Sequence, residues 1–295
     1  MGTDFISRKD HFRCGQPSTI GTMKVYDSSA RQIPVVSQLK SIYEYRGLLR
    51  LLVMRDLTVR YKRSVIGVWW SLLNPLFTTA VLYYVFNTVM KARLSGGSPF
   101  LPYLLSGVLI ITLFNQSLTI GADAIATGAG VLTKVHIRPE IFAASASISS
   151  AINFLIGLLP LTVVLAVYHK TPTWRFPLVL VVIVSMIMFT TGLALILAIA
   201  YVNFDDSRSL INIFLMALQY MTPVFYPLSI LGPHTRDIIV LNPLTSFLQI
   251  FRREFGNTVI STMQNWEIML GCSVIAFFGG FYVFSKQWPK LVAKL

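Results

Sequence analysis

Charged residues are scarce in this sequence. They make up 13% of the 295 residues, which is about half of the roughly 25% typical of soluble domains. Hydrophobic residues make up 54%, and they occur in runs longer than ordinary core helices require. This combination excludes a conventional soluble domain and indicates a protein that crosses a membrane several times.

Sequence motifs for metal binding, redox chemistry and nucleotide hydrolysis are missing as well. The two cysteines, Cys14 and Cys272, form neither a disulfide framework nor a metal-ligand pattern. The sequence contains no G-x-S-x-G, and GAGVLTK at 128–134 does not match the P-loop pattern. We therefore expect this chain to be no enzyme and to hold neither a metal nor a cofactor.

The positive charge is unevenly distributed along the chain. The net charge is +13, and 12 of the 25 lysines and arginines lie within residues 1–64. Most of the others lie between apolar runs, and no aromatic-basic pattern of RNA or DNA binding accompanies them. The sequence therefore predicts no nucleic-acid partner, but a membrane protein with a basic side.

The lengths of the apolar runs predict an all-α polytopic membrane protein with six transmembrane helices. Between the fifth and last runs, four prolines interrupt an apolar stretch, and they predict re-entrant helices at about 224–255. The predicted spans are about 65–90, 101–125, 142–168, 177–202, 209–223 and 266–285.

The basic residues also predict the orientation. Residues 1–35 are expected to form a flexible cytoplasmic tail, 36–63 an amphipathic helix at the membrane interface, and 64–295 the transmembrane domain. Six crossings leave both termini on the same side. Assigning that side to the cytoplasm places 18 lysines and arginines inside and 7 outside, in agreement with the positive-inside rule.

Ionisable side chains are almost absent from the predicted spans. Asp123 is the only carboxylate near one, and no His, Lys or Arg lies in the middle of one. This argues against ion-coupled transport, which usually needs such groups. Asp205 and Asp206 could form a metal-binding pair of a membrane transferase, but we favour a helix cap in which Asp206 or Ser207 receives free N–H groups.

Three segments resemble ABC-2-type polysaccharide exporter permeases, and together they cover about residues 40–288. RDLTVRYKRSVIGVWWSLLNPL, at 55–76, is similar to the first conserved pattern of that family. VLTKVHIRPEIF, at 131–142, resembles the cytoplasmic coupling loop, with Arg138 inserted before the proline. TPVFYPLSIL, at 222–231, and LNPLTSFLQIFRREF, at 241–255, resemble the outer segment.

The resemblance implies a permease subunit in the bacterial inner membrane, with both termini cytoplasmic. It implies a dimer of this chain with two copies of a separate P-loop subunit that holds ATP and Mg. The implied substrate is a polyprenyl-diphosphate-linked glycan such as O-antigen, teichoic acid or galactan, and the likeness points towards the Wzm-type O-antigen and galactan branch. Two alternatives stay open: an ABC-2 drug or lipid exporter permease, and a polytopic glycosyltransferase that uses Asp205 and Asp206.

Three groups of residues are candidate sites. Cations before the first span could bind the lipid diphosphate, although any first span can carry such cations as an anchor. Aromatic rings could line a sugar channel, although aromatic residues are also common at the two membrane interfaces. The apolar residues of the coupling loop favour a partner groove over a solvated turn. The diphosphate candidates are Arg55, Arg60, Tyr61, Lys62 and Arg63; the channel candidates are Trp69, Trp70, Tyr83, Tyr84, Phe86, Phe114, Asn115, Tyr220, Phe225 and Tyr226; the coupling loop is Val131, Leu132, Thr133, Lys134, Val135, His136, Ile137, Arg138 and Pro139.

Overall fold

The regular structure is helical throughout the residues that the computed structural model describes, as the sequence predicts. The described residues are 44–62, 67, 69–89, 99–132, 139–169, 177–204, 206–255 and 262–292. The helices are α1 (Arg46–Tyr61), α2 (Trp69–Tyr83), α3 (Phe100–Leu132), α4 (Glu140–Val167), α5 (Pro177–Asn203), α6 (Ser207–Met221), α7 (Pro233–Val240), α8 (Pro243–Glu254) and α9 (Met263–Val292).

Four of these helices are long and apolar enough to cross a membrane. Their apolar parts are Phe100–Thr127 in α3, Glu140–Val167 in α4, Pro177–Asn203 in α5 and Met263–Trp288 in α9. They correspond to four of the six predicted spans. The α2 and α6 helices have 15 residues each, so the spans predicted at 65–90 and 209–223 stay predictions. A π-helical turn (Tyr84–Val89) continues α2.

The core is built from α3, α4 and α5, with α9 packed on α5 and α1 packed on α4. The contact between α5 and α9 is a backbone contact. A Cβ atom added at Gly192 would lie 2.1 Å from the carbonyl oxygen of Ala276, and one added at Gly280 would lie 2.2 Å from that of Gly192. Small residues at such positions let helices in a membrane approach closely.

Two short helices, α7 and α8, lie in the stretch that was predicted to be re-entrant. Each begins with a proline, Pro233 or Pro243. Proline suits this position because the N–H group of the first helical residue has no hydrogen-bond partner within the helix. The side chain of Asn242 caps α8 by accepting a hydrogen bond of 3.0 Å from the N–H of Leu244. Phe247 and other residues along α8 are fully buried, so α8 belongs to the core.

The predicted helix cap at the start of α6 is wrong in its detail. Asp206 occupies the N-cap position, but its side chain makes no capping hydrogen bond, and its backbone has helical angles (φ −70°, ψ −14°). A capping side chain usually requires an extended backbone at that position. The hydroxyl of Ser207 instead donates a hydrogen bond of 3.0 Å to the carbonyl of Ala200. Asp205 lies outside the described residues.

Candidate substrate site

A polar cavity of about 460 Å³ lies where the end of α1 meets α2, α3 and α4. Its wall contains side-chain amides, hydroxyls and one cation, together with Trp70 and a few aliphatic residues. None of the described residues in this wall carries a carboxylate. The polar side chains in the wall are Arg60, Tyr61, Ser71, Asn74, Thr112, Gln116, Ser150 and Asn153.

A hydrogen-bond network joins α1 to three other helices at this cavity. Arg60 Nη1 in α1 donates to Gln116 Oε1 in α3 at 2.9 Å. The hydroxyl of Tyr61 donates to Asn153 Oδ1 in α4 at 2.5 Å and also makes a hydrogen bond with the hydroxyl of Ser71 in α2. These bonds connect residues up to 92 positions apart in sequence, and they hold the basic end of α1 against the cavity.

The predicted diphosphate-binding residues have different surroundings. Arg60 and Tyr61 line the cavity, and no carboxylate in the described part of the chain forms an ion pair with Arg60. Arg55 is exposed and pairs with the neighbouring Asp56 at 2.8 Å, and Lys62 is exposed. Arg63 lies outside the described residues. The structure therefore brings two of the five candidates together at one cavity.

Several polar atoms of the wall have no hydrogen-bond partner among the described residues. They include Ser150 Oγ and Asn153 Nδ2, on two buried residues of α4. Pro75, within α2, has no N–H group to donate to the carbonyl of Ser71, four residues earlier. Buried polar groups usually have partners, so these atoms give the cavity an unused capacity for hydrogen bonds.

A second cavity of about 100 Å³ adjoins the first and shares Asn74, Pro75 and Thr112 with it. Asn115 of α3 and Gln219 of α6 add two further amides to its wall, and Asn115 Oδ1 has no hydrogen-bond partner among the described residues. Phe225 also lines this cavity. The two cavities therefore share part of their walls, and Arg60 lines the larger one and Phe225 the smaller one.

Of the predicted channel residues, the structure places Trp70, Asn115 and Phe225 in the cavity walls. Phe114 is 2% exposed and stacks on Phe189 at 6.0 Å, so it belongs to the core and not to a cavity wall. The others lie apart from both cavities. Trp69, Tyr84 and Tyr220 are exposed, and Tyr83, Phe86 and Tyr226 are half-buried.

An aromatic cluster lies around Phe225. Its ring stacks on Phe86 at 6.3 Å and contacts Tyr220 at 5.8 Å. The hydroxyl of Tyr226 donates to the carbonyl of Tyr220 at 3.0 Å. These contacts fix the segment that follows α6 beside the smaller cavity.

Arg252, in α8, is the residue whose role the sequence least revealed. It lies in the segment LNPLTSFLQIFRREF and was one of the seven lysines and arginines assigned to the outside, but its side chain is fully buried. Its guanidinium donates to Ser106 Oγ at 3.2 Å, to the carbonyl of Pro223 at 2.8 Å, and to the carbonyls of Tyr103 and Val224 at 3.0 Å. It also lies 3.5 Å from the centre of the Tyr103 ring. Arg252 thus holds the segment before Phe225 against α3.

The predicted coupling loop lies largely outside the described residues. Val131 and Leu132 are the last residues of α3, and Pro139 directly precedes α4. Thr133, Lys134, Val135, His136, Ile137 and Arg138 lie outside the described residues.

Comparison with known proteins places this architecture in a family. Residues 47–255 match the profile of the ABC-2 type transporter family. The O-antigen export system permease protein RfbA of Myxococcus xanthus is 30% identical over 256 residues, 86% of this chain and 97% of that protein. A protein of the same name from Klebsiella pneumoniae is 26% identical over 81% of this chain and 91% of its own length.

A capsule protein shows a weaker likeness over a similar length. The capsule polysaccharide export inner-membrane protein CtrC of Neisseria meningitidis serogroup B is 21% identical over 84% of this chain and 93% of its own length. The family profile covers more than two thirds of the present chain, and these relatives align along most of their lengths. The chain therefore belongs to the ABC-2 type transporter family.

Proposed function

We propose that this protein is the transmembrane permease subunit of an ATP-driven exporter that moves a polyprenyl-diphosphate-linked polysaccharide out of the cytoplasm. The relatives that align over most of the chain carry names of O-antigen and capsule export proteins. The observation that carries the proposal is the cavity at Arg60, which combines one cation with hydroxyl and amide groups. A glycosyl diphosphate needs a cation for its diphosphate and hydrogen-bonding groups for the hydroxyls of its sugar.

The exposed side chains support a cavity at the depth of the lipid headgroups. On α4, the large exposed apolar residues begin only after Asn153, and Trp69 and Trp70 are exposed at the start of α2. Tryptophan is enriched at the boundary between lipid and water. The exposed apolar residues of α4 are Leu155, Leu159, Val163 and Val167.

Arg60 is the cation that we assign to the diphosphate. Its guanidinium has four N–H donors beyond the one bonded to Gln116, and no ion pair in the described residues uses them. A guanidinium can bind phosphate oxygens through two parallel hydrogen bonds. The hydroxyl of Tyr61 lies beside it, while Arg55, Lys62 and Arg63 are assigned to the approach of the anionic lipid.

We place a second copy of the chain on the exposed face of α6. Leu210, Phe214 and Tyr220 are more than 60% exposed on this 15-residue helix, and contiguous apolar surface of this kind marks an interface or a lipid-facing side. The proposal includes six spans, with α2 and α6 as the first and fifth, and re-entrant α7 and α8. Both termini are cytoplasmic.

The driving force is assigned to two copies of a P-loop ATP-binding subunit, which hold ATP and Mg. Their contact is the loop from Val131 to Pro139, whose apolar residues suit a groove on a partner. The two alternatives receive less support. The relatives that align over most of the chain carry names of polysaccharide export proteins, and not of drug exporters or transferases.

The coupling loop provides the test of this proposal. Leu132→Asp or Val135→Asp places a charge in the proposed apolar contact, and we expect export of the cell-surface glycan to fall at least tenfold while the protein still reaches the membrane. Thr127→Asp is the control, because it adds the same charge at an exposed position of α3 that lies outside the loop. Normal export by both variants would contradict the coupling assignment.

A further inference from the structure

We infer that the part of the cavity wall contributed by α4, at Ser150 and Asn153, is a binding site for sugar hydroxyls. This inference rests on the proposed function, and it adds that the permease itself recognises the first sugar of the glycosyl diphosphate. Recognition would then not depend on the lipid and its diphosphate alone.

The first support is the chemical composition of the wall. The larger cavity contains three amides, those of Asn74, Gln116 and Asn153, and the smaller one adds Asn115 and Gln219. Amides and hydroxyls can both donate and accept hydrogen bonds, as sugar hydroxyls do. Arg60 is the only charged residue among the described residues that line the larger cavity, so the cavity suits a ligand that is neutral except at one anionic end.

The second support is the position of the unpartnered atoms. Ser150 is 1% exposed and Asn153 is 8% exposed, so Ser150 Oγ and Asn153 Nδ2 are withdrawn from bulk solvent. Both residues line the cavity, and neither atom has a hydrogen-bond partner within the described parts of the chain. A buried polar atom without a partner destabilises the free protein, whereas a hydroxyl-rich ligand would supply the missing partners.

The third support is the neighbouring serine. Ser149 is also buried, but its hydroxyl donates to the carbonyl of Ser145 at 2.8 Å, and it does not line the cavity. Two adjacent buried serines of α4 therefore differ: the hydroxyl of Ser149 is bonded within its helix, whereas Ser150 lines the cavity and its hydroxyl has no partner among the described residues. This difference gives a matched pair of variants.

The volume and the aromatic ends agree with such a ligand. The larger cavity, of about 460 Å³, lies in the range of small-molecule sites, and Trp70 offers a ring face beside the polar wall. The smaller cavity has a volume of about 100 Å³ and is lined by Phe225. The larger cavity therefore has room for the first sugar, whereas the smaller cavity offers much less room.

The test uses the full chain assembled with its ATP-binding subunit in lipid nanodiscs. Two probes are titrated: a polyprenyl diphosphate carrying one hexose, and the same lipid without the sugar. Binding is followed by tryptophan fluorescence, because Trp70 lines the cavity. We expect the native protein to bind the hexose-bearing lipid more tightly than the sugar-free one.

Ser150→Ala should lower the affinity for the hexose-bearing lipid about three- to tenfold, the value of one hydrogen bond, and leave the affinity for the sugar-free lipid unchanged. The thermal unfolding temperature of the free protein should not fall, because the lost hydroxyl has no partner there. Ser149→Ala should keep the native preference. A purely structural role of Ser150 would move stability and both affinities together.

Several outcomes would overturn the inference. They are equal binding of both lipids by the native protein, an equal loss for both lipids in Ser150→Ala, and a loss of the preference in Ser149→Ala. These outcomes leave the proposed function intact. If the native protein bound neither lipid, the proposed function itself would fail.

Discussion

Arg60 and Arg252 both reach between helices of the same protein, but their surroundings are opposite. The guanidinium of Arg252 makes four hydrogen bonds to protein oxygens and lies against the ring of Tyr103, and the side chain is fully buried. Among the described residues, the guanidinium of Arg60 makes one hydrogen bond, to Gln116, beside a cavity of about 460 Å³. The first arginine is used by the fold, and the second is the one that we propose binds a ligand.

This difference extends to the helices around each arginine. On the side of Arg252, α8 is buried among phenylalanines, and α5 and α9 touch at their backbones. On the side of Arg60, the wall contains polar atoms without partners. A transporter requires both kinds of region, because a rigid frame must hold a site that can bind and release a substrate. Three substitutions test the contrast, in order of their expected effect on folding stability.

The largest effect is expected for Arg252→Met. The substitution leaves the hydroxyl of Ser106 and the carbonyls of Tyr103, Pro223 and Val224 without their charged donor, and it should cost about 3 kcal/mol or more of the free energy of unfolding. The measurement is the thermal unfolding temperature of the detergent-purified protein, together with its monodisperse fraction.

Arg253→Met is the control for this prediction. Arg253 is adjacent in sequence, but its side chain is 40% exposed and lies 3.8 Å from Glu254, so we expect a much smaller loss. A similar loss in both variants would show that positive charge on α8, and not the bonds of Arg252, stabilises this region.

The second prediction concerns the contact between α5 and α9. In Gly280→Ala the new methyl group would lie 2.2 Å from the carbonyl oxygen of Gly192. The two helices must then move apart, which should cost about 2 kcal/mol. The thermal unfolding temperature measures this loss.

Gly279→Ala provides the comparison one residue away on α9. A Cβ atom there meets nothing within 4 Å, and alanine favours a helix over glycine. Gly279→Ala should therefore leave stability unchanged or raise it by up to about 1 kcal/mol. If both alanines were tolerated equally, the close helix contact would be absent from the protein in its membrane.

The contrast also explains what could be predicted from the sequence. The apolar runs of α3, α4, α5 and α9 exceed the length of a span, so these helices are visible without a structure. Arg60 and Tyr61 were identified by their position before the first span. Their partners gave no local signal, because a single Asn153 or Gln116 in an apolar helix resembles an ordinary polar substitution.

Arg252 was misleading for a similar reason. In the sequence RRE, at 252–254, the two arginines are adjacent and alike, and both were counted among the seven cations outside the membrane. Only the fold shows that α8 turns Arg252 towards α3 and Arg253 towards the exterior. Long-range hydrogen bonds, such as the one between Arg252 and Ser106, 146 positions apart, are a property of the packing and not of any segment.

The smallest effect on stability, with the largest consequence for binding, is expected for Arg60→Gln. The substitution removes one hydrogen bond to a neutral amide, worth about 1 kcal/mol, and it also removes a cation that no carboxylate in the described residues neutralises. The first change lowers the stability and the second raises it, so the thermal unfolding temperature should stay close to that of the native protein. The affinity for a polyprenyl diphosphate, measured in nanodiscs with the ATP-binding subunit, should fall at least tenfold.

The sugar distinguishes this effect from that of Ser150→Ala. Arg60→Gln should weaken binding of the lipid with and without a hexose to the same extent, because the guanidinium contacts the diphosphate that both share. Arg55→Gln is the matched control, since Arg55 is exposed and already pairs with Asp56, and it should change the affinity less than threefold. An Arg60→Gln protein that unfolds like Arg252→Met would mean that both arginines are structural, whereas a stable protein that no longer binds either lipid would establish Arg60 as the diphosphate contact.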